Sequence, residues 1–424
     1  MTNNIQNNTN KKEITRTASN VIWLFLQGIT TLAISWWLFP ALSTHLTSDQ
    51  ITTIGSYFSL FVFYQVLVNF GQNITGMSDL RNQDVNFLSN YLVMRIFHTL
   101  FFSILMIGVA LVRPFSVGEY GIFVAIIFTQ IYVVVWYAQY MGNQRTLTKI
   151  NIFGVIVAIV IEYLMRDNLL AISSINMYIA YIILMIPPVF IAVYMTWSLR
   201  QVISQKIIIS KIDFSAMLTI YSRNLRVFLS QVLSTAYTYS GVLILAITTN
   251  VDILGQYVLL ERMFFSLSAG LGLLVTAAQP TLVDLAKKDR LISVKLLVLI
   301  AVVLLGCSFV ISFGLWFGKE FFFGRFLDLQ SDSFTRMSLA LSVWLILSVF
   351  GPVITMLYVI LDMRDRMLVL TAKIFLVTFS SLFLMGSYSV TDWVIAMILG
   401  QAYVVIEFFT VAYKAIFGKK EVSI

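Results

Sequence analysis

The residues of this sequence best able to do chemistry are ionisable side chains that lie inside long apolar runs. Burying a charge at membrane depth is costly, so such residues are rare and are candidates for a functional site by default. The strongest candidates are Glu261 and Arg262, about a third of the way into the run 254–280. Adjacent positions on a helix point about 100° apart. We therefore expect each of the two to face a cavity or a partner on another helix.

Five more ionisable residues could belong to a binding or translocation site. Arg95 and His98 are three apart and share a helical face. Snorkelling to lipid phosphate is the simpler interpretation of Arg95, and His98 could be a packed polar residue or a proton carrier. Arg223 and Arg226 also share a face and could grip a phosphate, although positive-inside anchoring is the simpler interpretation. Lys373 lies one to two turns inside its run and could instead reach the interface.

Signatures of enzymes, cofactors and metals are missing from the sequence. It contains no GxxxxGK[ST] phosphate loop, no Asp-x-Asp pair, no Gly-x-Ser-x-Gly and no His-Glu-x-x-His. The single cysteine, Cys307, and two distant histidines predict neither a disulfide framework nor a metal cluster. We expect a protein that is not an enzyme and holds no cofactor or metal. The net charge of +8 does not indicate nucleic-acid binding, since in a membrane protein the placement of charges matters more than their sum.

The composition predicts an all-α polytopic membrane protein. Of 424 residues 59% are hydrophobic and 11% charged, whereas water-soluble domains carry about 25% charged residues. Apolar runs near the length needed to cross a bilayer recur along the chain. Twelve spans are predicted, at roughly 19–40, 51–72, 91–112, 119–141, 150–166, 173–197, 225–248, 254–280, 291–317, 337–361, 367–386 and 389–413.

The basic residues predict the orientation and the division of the chain. With the N-terminus in the cytoplasm, Lys and Arg on the inner side outnumber those outside about fourfold. We then expect both termini to be cytoplasmic and the polar tail 1–18 not to be a cleaved signal peptide. The longest inner connector, 199–221, divides an N-terminal six-helix lobe (1–198) from a C-terminal six-helix lobe (222–424).

The sequence also repeats one pattern at an offset of about half the chain. Asn20 and Gln27 precede Gly55-x-Tyr57 in the first copy, and Asn224 and Gln231 precede Gly255-x-Tyr257 in the second. Asn and Gln are seven residues apart in both copies, while the Gln-to-Gly distance is 28 in one and 24 in the other. Such weak internal symmetry is typical of transporters built from two repeated bundles.

These features together resemble the Wzx-type polysaccharide flippases of the MOP (MATE-like) exporter superfamily. The resembling segments are Asn20 to Gln27, Pro40, Gly55-Ser56-Tyr57, Val68-Asn69-Phe70-Gly71-Gln72-Asn73, Gly255-Gln256-Tyr257, Glu261-Arg262, and Pro280 with Leu282 and Leu285. The sequence departs from the family pattern at Asn69, where an acidic residue is common, and in the basic residues that follow, which are reduced to Arg81.

The resemblance implies two lobes packed as a V around a cavity that opens alternately to each side. Its substrate would be an O-antigen or other polysaccharide unit linked by pyrophosphate to undecaprenol, moved to the periplasmic leaflet of a bacterial inner membrane. A cavity lined by Arg95, Arg223, Arg226 or Arg262 would attract the pyrophosphate. A gradient of H+ or Na+, or the flux of substrate, could drive the cycle. Other polysaccharide-assembly proteins of the membrane are possible partners.

Two other functions stay open at this point. An ion-coupled drug antiporter of the same superfamily would favour acidic residues in the N-terminal lobe, yet the first four spans hold no deep Asp or Glu. A membrane polysaccharide polymerase or glycosyltransferase would need a substantial outward loop. The longest here, from Lys319 to Arg336, is too small for a folded domain.

Overall fold

The computed structural model of this chain describes residues 22–30, 32–72, 74, 85–112, 143–169, 173–206, 214–324, 332–386 and 388–417. That part of the chain is 94% helical and has no strand. We number its helices α1 Ile22–Ser43, α2 Ser48–Asn69, α3 Val85–Val112, α4 Gln144–Leu169, α5 Ser173–Lys206, α6 Phe214–Thr248, α7 Val251–Lys288, α8 Arg290–Phe317, α9 Lys319–Phe323, α10 Asp332–Ser348, α11 Phe350–Ile360, α12 Arg364–Met385 and α13 Val390–Phe417.

The all-α polytopic membrane architecture predicted from composition is confirmed. Within the described residues, ten helices are long and apolar enough to cross a membrane, with α10 and α11 counted together as Asp332–Ile360, and they fall at ten of the twelve predicted spans. Helix α3, with 28 residues, lies at the predicted third span. The predicted fourth span, 119–141, lies outside the described residues.

Short polar residues set several of the helix ends. Thr47 accepts a hydrogen bond from the backbone N–H of Gln50, whose side chain accepts one from the N–H of Thr47, and this capping box starts α2. Asn250 accepts from the N–H of Asp252 at the start of α7. Asp289 caps α8 by accepting from the N–H groups of Leu291 and Ile292.

Two prolines, Pro40 and Pro352, lie where the regular α-helix of their span is interrupted. Pro40 has no N–H for the turn before it, and that turn widens into a π-helix over Ile34–Leu38. The helix then continues to Ser43, three residues beyond the predicted end at Pro40. At the other site, Gly351-Pro352, the tenth predicted span breaks between α10 and α11.

The helices form two groups that meet along one seam. Helices α4 and α5 pack on each other, and α2 packs on α3, within the N-terminal group. In the C-terminal group α7 packs on α8, α10 and α11, while α13 packs on α10, α11 and α12. The seam between the groups is formed mainly by α2, which packs along α6 and α7, with further contacts from α1 and α3.

Both glycines of the repeated pattern lie in this seam. A Cβ added at Gly55 would stand 2.7 Å from Cγ1 of Val258 on α7, and one at Gly255 would stand 3.2 Å from Cβ of Ser48 on α2. Each glycine therefore lets a helix of one half approach a helix of the other more closely than any side chain would allow. The two glycines of the sequence repeat thus each make a close contact between the two halves.

We expect Gly55→Ala to destabilise the protein, because the added methyl group would overlap the fully buried Val258. Inserting a methyl group into a packed core costs about 1–3 kcal/mol. Gly306→Ala on α8 is the matched control, since a Cβ there meets nothing within 4 Å. Thermal unfolding of detergent-purified variants measures the difference, and Val258→Ala added to Gly55→Ala should restore part of it. Equal melting temperatures for the two glycine variants would contradict this packing.

Candidate functional site

Glu261 and Arg262 lie on the part of α7 that runs along the seam. Glu261 is fully buried, and Tyr257, one turn earlier on the same helix, donates a hydrogen bond of 3.0 Å to its Oε1. The second oxygen, Oε2, is buried without a hydrogen-bond partner. The carboxylate is also close enough to the neighbouring Arg262 to interact with it electrostatically. The one hydrogen bond to Glu261 in the structure therefore comes from its own helix.

Arg262 points across the seam to the other half. Its Nη2 donates a 2.9 Å hydrogen bond to the carbonyl oxygen of Gly55, and its guanidinium lies 4.7 Å from the ring centre of Phe58. Its Nε is buried without a partner. An ionised side chain held by a neutral carbonyl and an aromatic face can still accept an anionic ligand. Arg262 thus has a partner on another helix, whereas the hydrogen-bond partner of Glu261 lies on its own helix.

Aromatic side chains from both halves surround this cation. Tyr181 of α5 packs edge-on against Tyr57 and Phe58, with ring centres 5.5 and 5.9 Å apart, and its hydroxyl is buried without a partner. Tyr181, Tyr239 and Tyr257 are all close enough to Arg262 to interact with it electrostatically. The site thus combines one cation, one carboxylate and several hydroxyl groups with aromatic walls.

Trp36, in the π-helical turn of α1, fixes α1 against α7 close to the site. Its Nε1 lies 3.1 Å from the carbonyl oxygen of Met263 and 3.2 Å from Oγ of Ser266, and it donates to both. A tryptophan at a span end is usually an interfacial anchor. Here its polar atom joins the two halves instead.

Arg95 and His98 lie in a second polar region, on α3. Arg95 is fully buried, so the interpretation that it snorkels to lipid phosphate is wrong. His98 is buried too, and its Nε2 lies 2.5 Å from the hydroxyl oxygen of Tyr221 on α6. Burial raises the pKa of Tyr221, which keeps the hydroxyl protonated and able to donate. No pattern in the sequence indicated this partner, which lies 123 residues away.

The remaining predicted residues lie in a third region, at the end of the C-terminal group that the basic residues assign to the cytoplasm. Arg226 forms an exposed ion pair with Asp365, which joins α6 to α12. Lys373 is exposed, with its Nζ 5.8 Å from the ring centre of Tyr403. Arg223 lies on α6, but its side chain is outside what the structure describes. The structure therefore does not gather all the predicted cations at one point.

The same region holds a carboxylate, Glu407, that was not among the predicted site residues. Tyr358 of α11 donates a 3.0 Å hydrogen bond to Oε1 of Glu407 on α13. Among the described residues there is no group of three or more His, Cys, Asp or Glu that could hold a metal ion.

No protein-family model matches the sequence, and no curated protein matches it in a sequence search. Solved structures do match the fold over most of its length. A multidrug resistance MATE family transporter of the MOP superfamily in an outward-facing conformation matches with TM-score 0.62 and 15% identity, covering 94% of this chain and 96% of that one. An inward-facing structure of a transporter of that description matches with TM-score 0.54 and 14% identity, covering 92% and 98%.

A structure of MATE in a bent conformation gives TM-score 0.58 at 13% identity, covering 94% of this chain and 95% of that one. Identities this low establish similarity of fold. The chain therefore has the fold of the MATE transporters, with the seam and the Arg262 site between its two groups of helices.

Proposed function

We propose that this chain is an alternating-access transporter that flips a lipid-linked oligosaccharide, with Arg262 holding the anionic pyrophosphate. The observation that carries the proposal is the position of Arg262 between the two halves, where it belongs to one and is bonded to the other. A residue in that position changes its surroundings whenever the halves separate. The fold supports transport, and the chemistry of the site supports the choice of cargo.

Arg262 is suited to bind a phosphate group that enters the seam. A guanidinium offers five donors in a planar fork, which matches the geometry of phosphate oxygens. One donor is engaged by the Gly55 carbonyl, which also accepts a hydrogen bond from Oγ of Ser59, and Nε is unpartnered. A charged oxygen is a stronger acceptor than a carbonyl, so an incoming pyrophosphate would displace Gly55.

The aromatic side chains around Arg262 are suited to the sugar part of the cargo. Phe58 and Tyr181 come from the N-terminal half, Tyr239 and Tyr257 from the C-terminal half. Their rings can stack on sugar rings, and the buried Tyr181 hydroxyl, which has no partner, can bond a sugar hydroxyl. The pyrophosphate and its first sugars would then lie between the halves while the lipid tail stays in the bilayer.

Glu261 is the proposed coupling group. Its buried Oε2 has no partner, so it can take a proton or Na+ from a gradient. Glu261 contacts Tyr257 of its own helix, while the adjacent Arg262 reaches the opposite half. Binding of a proton or Na+ to the carboxylate would therefore change the net charge beside Arg262. The proposed location is a bacterial inner membrane, with both termini cytoplasmic and other polysaccharide-assembly proteins nearby.

A multidrug antiporter is the second candidate, favoured by the fold that this chain shares with multidrug resistance MATE family transporters. It would carry hydrophobic cations, which the aromatic walls of the site could accommodate. Arg262 argues against such cargo, because a buried guanidinium repels a cation. The described helices α1, α2 and α3 bury no Asp or Glu, and the buried Glu162 lies far along α4, toward its outer end.

We expect deletion of the gene in its host to remove a surface polysaccharide while the complete undecaprenyl-linked unit is still made. Lipid-linked sugars and surface polysaccharide are measured in the same cultures. Intact polysaccharide together with raised sensitivity to cationic dyes would instead support the antiporter. Units that are flipped but left unpolymerised would support an enzyme.

In complementation of that strain, we expect Arg262→Ala to lower polysaccharide export by about tenfold or more, the loss expected for one or two charge-assisted hydrogen bonds. Arg262→Lys should recover only part of the activity, since it keeps the charge without the fork. Arg336→Gln on α10, which replaces an exposed arginine, is the matched control and should complement fully. Export that is equal for Arg262→Ala and Arg336→Gln, at equal protein levels, would rule out Arg262 as the phosphate ligand.

A further inference from the structure

The end of α2 has an unusual backbone conformation where it reaches α6. Phe70 has φ 44° and Gly71 has φ 77°, both in the left-handed region that non-glycine residues rarely adopt. A Cβ at Gly71 would stand 3.1 Å from the backbone N of Phe228 and 3.2 Å from the carbonyl oxygen of Asn224. The end of α2 therefore lies directly on the backbone of α6. Strained conformations of this kind persist where surrounding contacts hold them, and they are frequent in switch regions.

This conformation places the ring of Phe70 at the centre of an aromatic cluster. Phe70 stacks on Phe228 with ring centres 4.2 Å apart and on His98 at 4.9 Å, and it meets Tyr221 edge-on at 4.9 Å. Phe70 and His98 belong to the N-terminal group of helices, while Tyr221 and Phe228 belong to the C-terminal group. The four rings thus join the two halves at the end of the seam that the basic residues assign to the cytoplasm.

The hydrogen bonds of His98 fix the roles of the two polar members. Nδ1 lies 3.4 Å from the carbonyl oxygen of Val68, and because a carbonyl only accepts, Nδ1 carries the proton. In the neutral ring Nε2 is then an acceptor, and the Tyr221 hydroxyl donates to it at 2.5 Å. The imidazole is thereby bonded on one side within its own half and on the other side across the seam.

We propose that Phe70, His98, Tyr221 and Phe228 form a latch that closes the seam on the cytoplasmic side and opens when the protein turns inward. The latch rests on the proposed transport function in one respect: it requires the two halves to separate. One hydrogen bond and a few ring contacts are weak enough to be broken and remade in each cycle. Gly71 allows the end of α2 to approach α6. Phe70 has a strained backbone conformation, and opening of the latch would relieve that strain.

Gln231 offers a reporter position behind the latch. It lies three residues beyond Phe228 on α6, on the same helical face, and its Oε1 is buried without a partner. We expect a cysteine there to be shielded from the cytoplasm while the latch is closed. Replacing the native cysteine by Cys307→Ser leaves Gln231→Cys as the single thiol.

The experiment follows labelling of that thiol by a membrane-impermeant maleimide in inside-out vesicles. Tyr221→Phe removes one hydroxyl and keeps the ring, so we expect labelling to become about fivefold faster, the change in population that loss of one hydrogen bond produces. Gly71→Ala, which keeps α2 away from α6, should also accelerate labelling. Tyr413→Phe, at an exposed tyrosine of α13, is the matched control and should leave the rate unchanged.

Unchanged labelling in both Tyr221→Phe and Gly71→Ala would overturn the latch. Labelling that rises equally in right-side-out vesicles would overturn it too, because it would show a loosened fold rather than an opened cytoplasmic side. The assay needs no substrate, so it separates the two proposals. Faster labelling in a protein whose deletion leaves surface polysaccharide intact would keep the latch and remove the cargo assignment.

Discussion

The close approach of α2 to α7 is the contact on which the rest of the structure depends. Gly55 contributes to this contact in two ways. Its lack of a side chain leaves room for Val258, and its carbonyl oxygen accepts a hydrogen bond from Arg262. Lipid offers no water to satisfy a buried guanidinium, so a buried cation in a span needs protein partners. The glycine that brings the helices together therefore also supplies the group that stabilises the cation between them.

The sequence could predict the helices because a bilayer imposes their length. A run near 20 apolar residues has few alternatives to a spanning helix, and the predicted spans agree with the observed ones to within a few residues at most ends. The repeated Gly-x-Tyr pattern likewise indicated two related halves. The pattern did not say that Gly55 and Gly255 contact each other's halves, because a repeat within one chain carries no information about packing between its copies.

The orientation of polar side chains around each helix was harder to predict. In a span that is apolar on every face, periodicity does not distinguish the lipid side from the protein side. Arg95 lies near the inner end of its predicted span and was interpreted as snorkelling to lipid phosphate, but the structure buries it. The contact between His98 and Tyr221 joins helices from the two halves, so only the tertiary fold could reveal it. Helix geometry alone separates the directions of Glu261 and Arg262, but it did not indicate that Glu261 would bond Tyr257 of its own helix.

The partners of Arg262 also bear on how a carrier of this kind could complete its cycle. In the structure the Gly55 carbonyl oxygen and the Phe58 ring both contact the guanidinium of Arg262. The seam can therefore close around Arg262 without an anionic ligand. Without these two contacts, the Arg262 cation would be desolvated and unpaired in the closed, unloaded state, at a cost of several kcal/mol in the interior. That cost would tie closure to bound substrate. The Gly55 carbonyl takes the place of the substrate's phosphate in the unloaded protein. The proposed flippase can therefore return to its starting conformation without cargo, as a carrier that moves cargo in one direction must.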